Sequence, residues 1–158
     1  MKYTFTNSKN CSSAFVAEEY FPVIIEFSKE ELNNHFIEFD YQDSDMFEFF
    51  VDKESNDLKR FSMTLCNHYT IETTNIKEPE SINGSIAITG PEKTECDTFL
   101  AKVYNNGILI EIATNPVTKH LKCGQLIFGL TDSDELASLH IMNLSSSDIN
   151  HIKKELML

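Results

Sequence analysis

The chain has 158 residues, 41% of them hydrophobic, so it can bury one core without staples and is not a disordered chain. Its 25 acids against 13 Lys and Arg leave a net charge of −12 and a pI near 4.7. That balance excludes nucleic-acid binding through a basic surface, because phosphate contacts need clustered cations and Arg60 is the single arginine.

Residues 2–6, KYTFT, predict a first strand. Residues 13–21, SAFVAEEYF, predict a helix opened by Ser13 and stopped by Pro22, and PVIIEF after it predicts a buried strand. Ser28-Lys29-Glu30-Glu31 has capping-box spacing, which predicts a short helix over about 29–35.

HFIEFDYQDSDMFEFFVD, residues 35–52, predicts two strands around a tight turn. Ile37, Phe39, Tyr41, Phe47, Phe49 and Val51 fall on one face. Glu38, Asp40, Glu48 and Asp52 fall on the other with Phe50, and Asp43 and Asp45 sit at the tip. Matching the apolar faces requires paired residue numbers to sum to an even number. A sum of 88 sets Asp40 opposite Glu48, and a sum of 90 sets Glu38 opposite Asp52. Either register opposes two carboxylates, at a cost of up to about 1 kcal/mol.

A polar link, DKESNDLKR, leads into further strands. Phe61, Met63 and Leu65 alternate with polar residues, YTIETT and SIAIT follow, and Gly90-Pro91 marks a turn. In FLAKVYNNGILIEIAT, Asn106-Gly107 between apolar runs predicts a type I′ hairpin whose paired positions sum to 213, with Lys102 facing Glu111 and Tyr104 facing Leu109. QLIFGLT and SLHIMNL predict two more strands, with His140 on a solvent face. SSSDINHIKKELML predicts an amphipathic helix capped by Ser146 or Ser147, with Ile149, Ile152 and Leu156 on one side. The expected fold is one α+β domain over residues 1–158: a predominantly antiparallel β-sheet with a short N-terminal helix and an amphipathic C-terminal helix.

Motifs for chemistry are missing. From Asp40, an EF-hand count puts Asp45 where glycine is needed and Val51 where glutamate is needed, so the loop fails as a calcium site. Cys66-Asn67-His68 and His120 to Cys123 are two-ligand fragments without zinc spacing. No phosphate-cradling glycine loop, nucleophile elbow or dinucleotide fingerprint occurs. The reading is therefore a non-enzyme with no catalytic, cofactor or metal residues. Cys11, Cys66, Cys96 and Cys123 form no CxxC pair, MKYTFTNSKN has no apolar signal-peptide run, and no stretch reaches membrane-span length. A cytoplasmic protein with reduced thiols, away from membranes and monomeric or weakly dimeric, is expected.

The charge is concentrated. Residues 18–57 hold thirteen acids against Lys29 and Lys53, which is −11 of the −12. Such a segment attracts a basic partner and speeds encounter. Glu38, Asp40, Asp43, Asp45, Glu48 and Asp52 are the expected partner-binding residues, with Phe50 as an aromatic anchor. The size, the acidic pI, the Asn- and Phe-rich β-pattern and the short terminal helix resemble bacterial immunity proteins, which partner polymorphic toxins, including those of contact-dependent growth inhibition. The resemblance implies a cytoplasmic antitoxin that neutralises one basic cognate toxin domain, often a nuclease. A small-ligand-binding or regulatory domain with a pocket on the sheet is the alternative, and a small hydrolase using Cys66 and His68 stands behind it.

Overall fold

The computed structural model describes residues 2–6, 11–28 and 34–157. In chain order the strands are β1 (Lys2–Thr6), β2 (Ala14–Phe15), β3 (Val23–Glu26), β4 (Asn34–Tyr41), β5 (Asp45–Asp52), β6 (Leu58–Leu65), β7 (Tyr69–Ile71) and β8 (Ile82–Asn83). They continue as β9 (Ser85–Thr89), β10 (Lys93–Glu95), β11 (Leu100–Val103), β12 (Ile108–Glu111), β13 (Lys119–Cys123), β14 (Leu126–Leu130) and β15 (Leu136–Ile141). One helix, α1 (Ser146–Leu156), closes the described chain.

Three sheets result: β1 with β9, a six-stranded sheet in the order β10-β4-β5-β6-β3-β2, and a seven-stranded sheet in the order β7-β11-β12-β15-β14-β13-β8. The fold is mostly β and its sheets are mixed, not the predominantly antiparallel α+β arrangement expected. The difference lies at the edges. The short strands β10, β7 and β8 pair in parallel with β4, β11 and β13. Each is two or three residues long, so it leaves no periodic signal in the sequence from which its direction could be read.

The alternating apolar residues fill one core between sheets. Ile37, Phe47, Phe49, Val51, Phe61 and Met63 of the six-stranded sheet are fully buried, as are Ala101, Val103, Ile108, Ile110, Leu126, Phe128 and Ile141 of the seven-stranded sheet. The Phe49 and Phe128 rings lie 5.4 Å apart and join the two inner faces. Each of the Val, Leu, Ile, Phe and Met side chains among them contributes roughly 1.5–3 kcal/mol by burial.

The N-terminal helix does not exist. Ala14 and Phe15 pair with Glu26 and Ile25 of β3, Val16 N–H donates to Ile24 O at 2.9 Å, and the chain turns through Tyr20 at φ +71°. The far edge of β3 needed a partner for its backbone groups, and that demand outweighs the weak helical propensity of SAFVAEEYF. Ser13 caps nothing; its hydroxyl bonds Gln125 instead. The short helix expected over 29–35 falls mostly outside the described residues, and Asn34 and His35 open β4.

The Asn106-Gly107 hairpin forms in another register. Lys102 pairs with Leu109 and Leu100 with Glu111, and four residues, Tyr104 to Gly107, make the turn. Neither Asn106 nor Gly107 has positive φ. Asn106 is recruited elsewhere: its side chain accepts from Ile76 N–H at 2.8 Å and its carbonyl from Leu144 N–H at 3.0 Å. A Cβ at Gly107 would come 2.6 Å from the carbonyl oxygen of Ile141, so this glycine serves close backbone approach, not a left-handed turn. The expected ion pair survives diagonally, with Lys102 Nζ 2.8 Å from Glu111. A two-residue hairpin occurs instead at Gly124-Gln125, where Cys123 faces Leu126 and Gly124 takes φ +58° as the first turn residue, the type II′ pattern.

Helix α1 starts one residue earlier than expected. Ser145 is the N-cap, and its hydroxyl and the Asp148 carboxylate exchange hydrogen bonds with each other's backbone N–H. Ile149 and Ile152 are buried. No helix of the described residues is long and apolar enough to cross a membrane.

Candidate functional site

The acidic ribbon is the β4–β5 hairpin, and its register sums to 86. Tyr41 faces Asp45, Glu38 faces Glu48, and Phe36 faces Phe50. The parity argument holds, but neither of the two registers weighed from sequence forms. The turn is Gln42-Asp43-Ser44, with Gln42 and Asp43 at φ +51° and +57°. Asp45 sets this register because it is not a tip residue. It is fully buried on the inward side and accepts from Asn67 N–H at 2.6 Å, His68 N–H at 2.9 Å, the Ser44 hydroxyl at 2.8 Å and His68 Nδ1 at 2.6 Å. Burial pushes its pKa up, but the hydrogen bonds from His68, Ser44 and Asn67 outweigh this and leave it below the usual carboxylate value. Asp45 is therefore consumed in clamping the turn to residues 67–68 and is unavailable to a partner.

Two other expected contact residues are also occupied. Asp40 is 4% exposed because β10 lies alongside β4, with Glu95 opposite Asp40 and Cys96 N–H donating to its carbonyl at 2.8 Å. Asp52 accepts from the Glu54 and Ser55 N–H groups at 2.8 and 3.0 Å, which holds its pKa down and closes the turn into β6. Asp43 stands at the exposed tip, where it adopts a turn conformation that Asp tolerates.

What remains is a compact outward patch. Glu38 and Glu48 are half-buried side by side, and Phe50 lies between the Phe36 ring, 4.8 Å away edge to face, and the Arg60 guanidinium, 5.5 Å above its ring centre. Phe36 is 53% exposed, an unusual position for a large aromatic flanked by acids. Phe36, Glu38, Glu48, His35, Glu92 and Lys93 line a cleft of about 300 Å³. Burial first, and then the charge of Glu38, raise the Glu48 pKa against the pull of Arg60.

The ribbon is less uncompensated than its own residues imply. Lys93 Nζ stands 3.9 Å from carboxylate oxygens of both Glu38 and Asp40. Sequence reasoning missed Phe36, Glu92, Lys93 and Arg60. Phe36 shares the parity of Glu38 and Asp40, so the alternation could have found it. Glu92 and Lys93 arrive through a parallel pairing more than fifty residues away, which leaves no local mark.

The Asp45–His68 pair with Cys66 nearby has the residue types of a nucleophilic site, but the thiol is not activated. Burial and the Asp45 charge push Cys66 up to about 12, and its sulfur lies 4.0 Å from the His68 carbonyl oxygen. Among the described residues no group of three or more His, Cys, Asp or Glu side chains is placed to hold a metal ion.

The outer face of the seven-stranded sheet carries a second feature. His140 is not solvent-facing but 9% exposed, its ring 5.8 Å from that of His120, and its Nδ1 has no hydrogen-bond partner among the described residues. Glu111, His120, Ser138, His140, Asn115 and Val117 line part of a groove of about 580 Å³. Desolvation and the neighbouring His120 push His140 down to about 4.

Fold and surface together define a mostly-β protein with an acidic, aromatic-centred patch on one sheet and a neutral imidazole groove on the other. No protein-family profile matches the chain, and no curated protein matches it.

Proposed function

We propose that this chain is a binding protein without chemistry of its own, an immunity-type inhibitor that neutralises a basic toxin domain, such as a nuclease, through the outer face of the β4–β5 hairpin. The observation that carries this reading is exposed Phe36 packed on Phe50 beside the opposed Glu38–Glu48 pair. A lysine or arginine from a partner entering between the two carboxylates relieves their repulsion, while Phe36 supplies desolvated apolar contact at the centre. The contact set proposed is thus Phe36, Glu38, Glu48, Phe50 and Glu92, with Asp43 at the rim; Asp40, Asp45 and Asp52 act in support of the hairpin.

The test is capture from the native cell on immobilised wild-type chain and on a Phe36→Ala/Glu38→Lys/Glu92→Lys variant, at low and high salt. The reading requires one basic protein that is retained by wild type at low salt, is lost by the variant and is toxic unless wild type is co-expressed. Equal capture by the variant, or no protection on co-expression, refutes it.

Small-ligand binding is the second reading, and the groove with His120 and His140 is the observation that favours it. Metabolite-dependent elevation of Tm that a Val117→Trp variant abolishes would support it over inhibition.

A further inference from the structure

Cys11, just ahead of β2, and Cys123, the last residue of β13, lie 112 residues apart in sequence with their sulfurs 2.6 Å apart. Their segments are held together by contacts independent of sulfur. Ser13 Oγ donates to Gln125 Oε1 at 3.1 Å and accepts from Gln125 N–H at 2.9 Å. Gly124 packs so closely that a Cβ there would stand 2.6 Å from Ser13 Oγ and 2.9 Å from the Phe27 ring. The two thiols therefore meet because the fold brings their backbones together, not through chance side-chain rotation.

We propose that Cys11 and Cys123 form a reversible disulfide by exchange with a low-molecular-weight disulfide of the glutathione type, tying the N-terminal arm of the six-stranded sheet to β13 of the seven-stranded sheet. Cys11 is half-buried and Cys123 fully buried, so Cys11 meets the oxidant first. Cys11 loses its proton and its thiolate attacks one sulfur of the glutathione disulfide, giving a mixed disulfide and one glutathione thiol. Cys123 then loses its proton, attacks the Cys11 sulfur and expels the second glutathione thiol. Two protein thiols become one disulfide, and the glutathione disulfide is reduced to two thiols. The hydrogen bond from Cys123 lowers the Cys11 pKa, which favours the first step, while the same bond and then burial raise the Cys123 pKa. Once Cys11 is in the mixed disulfide it no longer holds the Cys123 proton against a thiolate, which eases the second step. Cys66 and Cys96 are both pushed up to about 12, by burial first and then by nearby carboxylates, and it is the 2.6 Å approach of the Cys11 and Cys123 sulfurs that singles out this pair.

The test is oxidation of the folded chain by glutathione disulfide, then alkylation, non-reducing peptide mapping and thermal melts. The expected result is one linked peptide pair, Cys11 with Cys123, a mass lower by two hydrogens, Cys66 and Cys96 alkylated, and Tm higher by on the order of 5–10 °C. Reduction should reverse all of it. A Cys66→Ser/Cys96→Ser variant should still form the bridge, and Cys11→Ser should melt at one temperature with or without oxidant. If Cys11 and Cys123 stay alkylatable in oxidised, folded protein, or the linked peptides involve Cys66 or Cys96, the proposal is overturned.

Discussion

Glu38 and Glu48 face each other directly across the β4–β5 ladder, and Glu48 titrates above the ordinary carboxylate range. Like charges in a cross-strand pair cost stability, on the order of a few tenths to 1 kcal/mol, and partial exposure here keeps the cost toward the low end. The sign follows from linkage. A carboxylate whose folded pKa is raised contributes stability below its unfolded pKa that is lost as pH rises through the folded value. At neutral pH the pair is a cost, and Lys93, at 3.9 Å, offsets only part of it.

Glu48→Gln should therefore stabilise the isolated chain, by about 0.5 kcal/mol and one or two degrees in Tm at pH 7, with the gain vanishing near pH 3. The same substitution should weaken capture of the basic partner at low salt. Melts across pH together with a binding titration check both halves. A neutral-pH loss of stability would show that Arg60, not Glu38, dominates the environment of Glu48.

Asp45 should behave in the opposite way. Its folded pKa lies below the unfolded one, so its contribution is present above about pH 4 and is lost as pH falls through the folded value. Asp45→Asn keeps the shape but points an amide N–H₂ toward donors from Asn67 and His68. A loss of about 2–4 kcal/mol at pH 7 is expected, shrinking below pH 4. Chemical denaturation of both proteins at pH 7 and pH 3 measures it; equal losses at the two values would mean that the carboxylate charge is not what the clamp uses.

The sequence carried the strand pattern well where a strand is long and one-sided. Alternation in residues 37–51 and 61–63 located the core, and the parity of the ribbon was correct because inward side chains repeat every second residue. What it could not carry was register. Asp45 is polar, and nothing local says that a polar residue beside a turn will be buried on two backbone N–H groups and an imidazole twenty-odd residues ahead. Asn106-Gly107 misled for a related reason. The dipeptide matched a local turn rule, but Asn106 accepts hydrogen bonds from residues 76 and 144 and Gly107 packs close against residue 141, contacts that exist only after folding. The site suffered in the same way. Phe36 was legible from parity, whereas Lys93 and Glu92 were not, since a three-residue parallel edge strand has no signature.

Gly107 offers a direct check of that account. In a type I′ turn, asparagine replaces glycine at little cost because both tolerate positive φ. In this chain any Cβ at 107 meets the Ile141 carbonyl oxygen at 2.6 Å and Ile76 at 2.9 Å. Gly107→Asn and Gly107→Ala should both lose about 1–3 kcal/mol, with similar values for the two. A well-tolerated asparagine alongside a damaging alanine would mean that the turn is left-handed after all.

His140 should make the chain acid-sensitive in a window set by its own titration. It sits across from Leu109 and Ile127 on neighbouring strands, with His120 and Glu111 as the titratable groups near it. Its folded pKa is about 4 against an ordinary value near 6.5, so the unfolded chain binds the proton first as pH falls. Stability should decline between about pH 6.5 and 4, by on the order of 2–3 kcal/mol from this residue, and not decline further from it below that range. His140→Leu removes both the titration and the unpartnered buried Nδ1 and places an apolar side chain between Leu109 and Ile127. The variant should therefore gain about 1–2 kcal/mol at pH 7 and flatten the pH 4–6.5 slope, leaving the Asp45 loss below pH 4 in place. Denaturation midpoints at half-unit pH intervals separate the two windows, and an unchanged slope between pH 6.5 and 4 would assign the acid sensitivity to other groups.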